Sequence, residues 1–241
     1  MHRLWVVLLV IVFTAAALAG GDRLLRLELS EDFQTVTAFA PDGAVAFTYT
    51  IEDWRAWAEE HLDAALGEPL TIGDVEMPAS TFYAFGFAEM APDGRVLVVA
   101  TTYAMLTTAS VLTYLDPDTL ELEVVAEPAY GDVEALAWSP DGRFVAYSLG
   151  SARAFGDGLH VDDLEQRRRL LDLDARSALA SAAGSALGAV VDGFGWFPAF
   201  RDLAWDDDGA LVFATHDPAA GAEEGELRWR FDVGSGELRV D

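Results

Sequence analysis

The chain has 241 residues, 52% of them hydrophobic, with 41 acidic and 15 basic residues and a formal charge of −26. That composition supports one large β domain or two small ones, excludes a disordered chain, and gives a surface that repels nucleic acid and anionic lipid while suiting cationic partners or plain solubility. Cysteine is absent, which excludes disulfides, zinc–thiolate centres, a cysteine nucleophile and a lipid-modified N-terminal cysteine.

The chain opens with His2 and Arg3, then a nearly unbroken apolar run from Leu4 to Leu18, then the small-x-small pattern Ala17-Leu18-Ala19. This predicts a signal peptide over 1–19, removed on export, with an uncleaved N-terminal anchor as the alternative. The run is short of the roughly 20 residues that a membrane span needs. The expected location is therefore periplasmic or secreted, or membrane-anchored and facing outside the cytoplasm. Residues 20–241 then form the domain.

Leu24 to Leu29 reads as a strand. Thr35–Ala40 and Ala44–Thr50 read as a hairpin about the turn Pro41-Asp42-Gly43. The period then changes. Ile51, Trp54, Trp57, Ala58, His61, Leu62, Ala65 and Leu66 recur at helical spacing, with Thr50 as cap, Asp53 three residues on, and Gly67 and Pro69 as the stop. This predicts a helix near 51–66 whose Trp54 and Trp57 pack onto a sheet. Thr81–Glu89, Arg95–Thr101, Val111–Leu115 and Leu120–Val125 supply four further strands. Val133–Ser139, Arg143–Leu149, Leu159–Asp163 and Arg168–Leu173 supply four more. Arg167-Arg168-Arg169 is the one basic cluster, read either as a dock for an acidic partner or as charge that discourages edge-to-edge pairing of an outer strand. Residues 175–192 are rich in Ala, Ser and Gly, and a second helix near 176–191 is an option. The aromatic segment Phe194–Phe200, with Trp196, leads into the last strands: Phe200–Trp205, Ala210–Thr215, Leu227–Asp232 and Leu238–Val240.

Four turns align: Pro41-Asp42-Gly43, Pro92-Asp93-Gly94, Pro140-Asp141-Gly142 and Asp207-Asp208-Gly209. Two residues before each stands Phe39, Met90, Trp138 or Trp205. Two residues after each glycine stands Val45, Val96, Phe144 or Leu211. In the pattern, Gly43, Gly94, Gly142 and Gly209 supply the left-handed position that closes each turn. A repeat of about 45 residues with four strands is the size of a propeller blade.

The stretch Trp138-Ser139-Pro140-Asp141-Gly142-Arg143-Phe144-Val145-Ala146-Tyr147 resembles the repeat of TolB-like β-propellers. The resemblance covers roughly residues 33–241 and implies a turn between the first and second strands of each four-stranded blade. TolB itself carries a separate domain before its propeller, which is not matched here, and rings of that kind usually have six blades. The expected fold is all-β: a small or incomplete propeller of about four blade-like antiparallel sheets with one inserted helix. The first strand is expected to close it beside residues 226–240, and the helix to cover what the first blade leaves open.

The chemistry-bearing motifs are sparse. No Gly-x-Ser-x-Gly elbow, phosphate loop, dinucleotide fingerprint or zinc helix occurs. His160 and His216 are the histidines of the β region, and Asp206-Asp207-Asp208 lacks the rest of a 12-residue calcium loop. No catalytic, cofactor or metal set is assigned. Phe194, Trp196, His216 and Arg168 are the candidate ligand-facing residues. The expectation is a non-enzymatic binding or scaffold protein of the cell envelope that takes a protein or peptide partner through its blade loops. It has no nucleic-acid partner and meets a membrane only through an uncleaved N-terminal segment. The alternatives are a propeller hydrolase of the lactonase or glycosidase kind, which needs acids or histidines converging at one end of the central channel, and a membrane-tethered ligand sensor.

Overall fold

The computed structural model describes residues 25–72, 74–104, 107–126, 128–150, 158–174, 200–216 and 226–240. The first sheet holds β1 (Arg26–Leu29), β2 (Thr35–Phe39) and β3 (Val45–Thr50). Helix α1 (Ile51–Leu66) follows, then a short ribbon of β4 (Thr71–Ile72) and β5 (Val75–Glu76) and a 3-10 turn at Ala79–Thr81. The second sheet holds β6 (Ala84–Met90), β7 (Val96–Ala104), β8 (Thr107–Leu115) and β9 (Leu122–Val124). The third holds β10 (Asp132–Trp138), β11 (Phe144–Gly150), β12 (Gly158–Asp163) and β13 (Arg168–Asp174). The fourth holds β14 (Arg201–Trp205), β15 (Leu211–His216), β16 (Glu226–Asp232) and β17 (Glu237–Val240).

Within each sheet the strands pair antiparallel in chain order. The first strands of successive sheets pack side by side: β1 with β6, β6 with β10, β10 with β14. Four meander sheets standing about their first strands are the blades of a small propeller. The three inner strands β6, β10 and β14 each carry a register shift, after Phe85, Val133 and Arg201, which bends the strand as it enters the blade.

The cores lie between blades. Val98 and Ala100 face the first blade and the helix, whereas Leu97 and Val99 face the third blade. Both sets are fully buried, which is why β7 reads as a continuous apolar run rather than an alternating one. A third core joins Leu159 and Val161 to Phe213, Trp229 and Phe231.

Helix α1 replaces the fourth strand of the first blade. The Thr50 hydroxyl accepts from the Asp53 N–H, and the Asp53 carboxylate accepts from the Thr50 N–H, a reciprocal cap at the helix start. Gly67 ends the helix at φ 81°. The stripe Ile51, Trp54, Ala58 and Leu62 is buried. Trp54 packs 4.5 Å from the Phe82 ring and donates from Nε1 to the Thr113 hydroxyl at 3.3 Å, in the second blade. The helix thus covers the face of the second blade that a fourth strand would have covered.

Two expectations are corrected. The Pro41-Asp42-Gly43 turn joins β2 to β3, the second and third strands of its blade, so Phe39 is not the counterpart of Met90, Trp138 and Trp205. The first-to-second turn of that blade is Ser30-Glu31-Asp32-Phe33-Gln34. It repeats the bonds of Ser139-Pro140-Asp141-Gly142-Arg143: Ser30 Oγ donates to Asp32 at 2.6 Å as Ser139 Oγ donates to Asp141 at 2.6 Å. Second, no substantial packing joins β1 to β16 or β17 among the described residues; outside its own sheet β1 packs on β6. The outward side of the first blade carries Arg26, Glu28, Thr37 and Thr48 together with Phe39, under the Arg26 guanidinium, and the exposed Val45; that of the fourth carries Arg228, Arg230, Asp232, Glu237 and Arg239.

Candidate functional site

The two ends of the blades differ. At one end every connection is a tight turn tied by a side chain. Gly142 N–H donates to the Ser139 carbonyl at 2.9 Å, and the Asp141 carboxylate accepts from the Arg143 N–H at 3.0 Å. Between third and fourth strands the tie is an aspartate at the head of the turn: Asp116, Asp163 and Asp232 each accept backbone N–H groups from residues two or three positions on. At the other end lie the junctions between blades and the connections β7–β8, β11–β12 and β15–β16. Long connections on a rigid frame are where binding groups concentrate.

That second end holds a polar and aromatic cluster at the seam of the second and third blades. The crossover from β9 is pinned to β8 by reciprocal backbone bonds between Ser110 and Ala129, at 2.7 and 2.9 Å. Gly131 follows at φ 143°, with a side-chain position that would meet the Gly150 carbonyl at 3.1 Å, so only glycine is comfortable there. Ser110 Oγ donates to the Gly131 carbonyl at 2.7 Å. These bonds fix the start of β10, where Asp132 stands. Thr108, opposite Tyr103 in the β7–β8 ladder, stands beside the Asp132 carboxylate and works against the effect of burial on it. Burial holds the Asp132 carboxyl above its usual range. Tyr83 lies beside it, and its phenol is raised by burial, then by Asp132 and Tyr103. Tyr83 and Tyr103 are 47% and 49% exposed.

Tyr130, two residues before Asp132, is also exposed and donates to the Thr71 carbonyl at 3.1 Å. It rims a cleft of about 430 Å³ between the end of α1 and the free edge of the second blade, lined also by Leu66, Pro69, Val125, Pro128 and Arg167.

The candidates from sequence do not gather. Phe194 and Trp196, with the optional helix near 176–191, lie outside the described residues. His216 ends β15 opposite Glu226, at the end that carries the tyrosines. Arg168 opens β13 opposite Asp163, at the tight-turn end, so it shares no site with them. Its neighbours divide: Arg167 pairs with Glu123 of the second blade, and Arg169 turns inward. Since β13 is the outermost strand of its blade, the charge on this edge suits the edge-protecting reading. Gly43, Gly94, Gly142 and Gly209 all take positive φ, between 72° and 88°. Asp206 spends its carboxylate on the Asp208 and Ala210 N–H groups and on Arg230. Among the described residues no group of three histidines or carboxylates is placed to hold a metal.

His160 belongs to a network inside the third blade. Tyr147, fully buried, donates to Asp162 at 2.6 Å; Arg169 donates to Asp162 at 3.0 Å and to the Tyr147 oxygen at 2.9 Å. His160 Nδ1 is 3.4 Å from that oxygen, and Nε2 is 3.1 Å from Asp172. Burial first, then Arg169, pulls the His160 pKa down to about 4. The ring is shut between blades, away from the cluster on Asp132. It serves packing of the seam rather than an open site.

Sequence reading missed Tyr83, Tyr103, Thr108 and Asp132. Each sits at the last or first residues of a strand, where alternation no longer reports a facing. The available signal was their common place beside the connections opposite the Asp-Gly turns.

No protein-family model matches the chain, and no curated protein matches it. Solved structures similar to it are propeller-bearing proteins at low identity. The β-propeller domain of the Trilobed protease from Pyrococcus furiosus is 17% identical over 60% of this chain and 38% of that one, with a TM-score of 0.36. Porphyromonas gingivalis dipeptidyl peptidase 4 is 13% identical over 90% and 31%, with a TM-score of 0.47. The Dos1 propeller is 9% identical over 90% and 43%, with a TM-score of 0.44. The chain thus spans less than half the length of each of these structures.

Proposed function

We propose that this protein is an exported, non-enzymatic binding module of the TolB-like propeller type. It holds a protein or peptide partner of the cell envelope at the end opposite the Asp-Gly turns. One observation carries the reading: the three exposed tyrosines of the described residues, Tyr83, Tyr103 and Tyr130, all stand at that end, while Tyr49, Tyr114 and Tyr147 are buried in the blades. Tyrosine supplies large contact area with a polar tip at small entropic cost, and it is enriched at recognition surfaces. The blade frame below is bonded turn by turn, so the surface is pre-organised. Export rests on the leader pattern of residues 1–19, and the mature protein is expected to begin at Gly20 when its mass is measured.

The test is panning of a random peptide library on the purified protein. Peptides enriched on the native protein should lose binding on Tyr83→Ser and Tyr103→Ser and keep it on Arg168→Ser, at the far end. Enriched peptides indifferent to the tyrosines, or sensitive to Arg168, would place the binding surface elsewhere.

A further inference from the structure

The seam cluster carries a partner chemistry. Asp132 is half enclosed at the head of β10, with Thr108 beside it and no arginine or histidine paired to it among the described residues. A carboxylate drawn out of water without a cation is a standing cost that an incoming cation relieves. In the third blade the buried carboxylates have theirs: Asp162 has Arg169, and Asp163 has Arg143. Two exposed phenol rings stand at the same seam: Tyr83, close enough to Asp132 and Tyr103 that both act on its hydroxyl, and Tyr103, paired across the ladder with Thr108. Aromatic faces attract cations, most strongly where water is partly excluded. The formal charge of −26 adds a long-range pull on the same sign of ligand.

We propose that Asp132, Thr108, Tyr83 and Tyr103 form a receptor for one cationic side chain, an arginine or lysine presented by a peptide partner. The proposal rests on the binding end assigned above and adds the charge of what binds there. Asp132 supplies the ionic contact, Thr108 orients its carboxylate, and the two tyrosines flank the stem and head of the guest. Gly131 is a positioning residue, because its backbone sets where Asp132 points.

The experiment uses capped pentapeptides with a central arginine, or with citrulline as its uncharged isostere, titrated into the full protein. Native protein should prefer the arginine peptide by about tenfold, as a charge-assisted contact with cation–π support allows. Asp132→Asn should erase the preference. Glu60→Gln, which removes an exposed carboxylate from α1, should leave it in place, showing that net charge alone is not the cause. Circular dichroism checks that each variant is folded. Equal binding of arginine and citrulline peptides to the native protein, or a preference that survives Asp132→Asn, overturns the proposal. Equal but tyrosine-dependent binding would overturn it while leaving the binding end intact. Binding indifferent to Tyr83 and Tyr103 would overturn both.

Discussion

Phe33 holds, between β1 and β2, the left-handed backbone position that Gly142 holds between β10 and β11. Their φ angles are 59° and 72°. The surrounding bonds match as well: Phe33 N–H donates to the Ser30 carbonyl at 2.9 Å, and Gly142 N–H donates to the Ser139 carbonyl at 2.9 Å. One turn is thus built from two sequences, and a side chain beyond the β-carbon strains only the first.

Phe33→Asn is expected to stabilise the protein by about 0.5–1 kcal/mol, because asparagine tolerates this conformation and Phe33 is half exposed. Gly142→Val is expected to cost about 1–3 kcal/mol, since it adds both left-handed strain and a β-carbon 3.2 Å from Pro92 of the neighbouring turn. Thermal or urea midpoints of the two variants, moving in opposite directions, check the shared turn.

Trp54→Ala should destabilise by about 3–5 kcal/mol, the range for removing a large buried aromatic. Trp54→Phe should cost less, and its remaining cost should shrink in a Thr113→Val background, where the hydroxyl that accepts from Nε1, and that itself donates to the Val98 carbonyl at 3.2 Å, is already gone. A double-mutant cycle on chemical unfolding reads the coupling. Additive effects would mean that the helix is not docked through this pair.

Stability against pH should show two opposed slopes. His160 is lowered to about 4 from 6.5, so between those values the unfolded chain binds more protons and stability rises with pH. Glu89, on inner strand β6, is raised to about 7 from 4.5 by burial, so between those values the folded chain binds more protons and stability falls with pH. Each slope is at most about 1.4 kcal/mol per pH unit. His160→Gln should therefore make the profile fall more steeply from pH 4.5 to 6.5, and Glu89→Gln should make it rise. Unchanged slopes in either variant would show that the group is solvated.

Arg169→Met should cost about 3–5 kcal/mol, because it strands the buried Asp162 carboxylate. Adding Asp162→Asn should recover part of the loss. Equilibrium unfolding of the single and double variants makes the comparison.

The sequence by itself determined the strands, the helix and the turns, because each rests on neighbours a few residues apart. Pro140 and Gly142 specify their corner locally, and Thr50 and Asp53 cap α1 across three residues. Local pattern also misled about rank: Pro41-Asp42-Gly43 carries the repeat's residues but joins the second and third strands of its sheet, while the first-to-second turn, Ser30-Glu31-Asp32-Phe33-Gln34, lies against the start of β6, where the Phe85 N–H donates to the Phe33 carbonyl at 2.7 Å. Only the tertiary structure decided that, since a turn's rank in its blade depends on which strand lies innermost. It also decided where the first strand goes: β1 packs on β6 and not substantially on β16 or β17 among the described residues. The site was beyond local reading for the same reason. Tyr83, Tyr103, Thr108 and Asp132 come from four strand ends separated by up to about 50 residues, and their meeting is a property of packed blades.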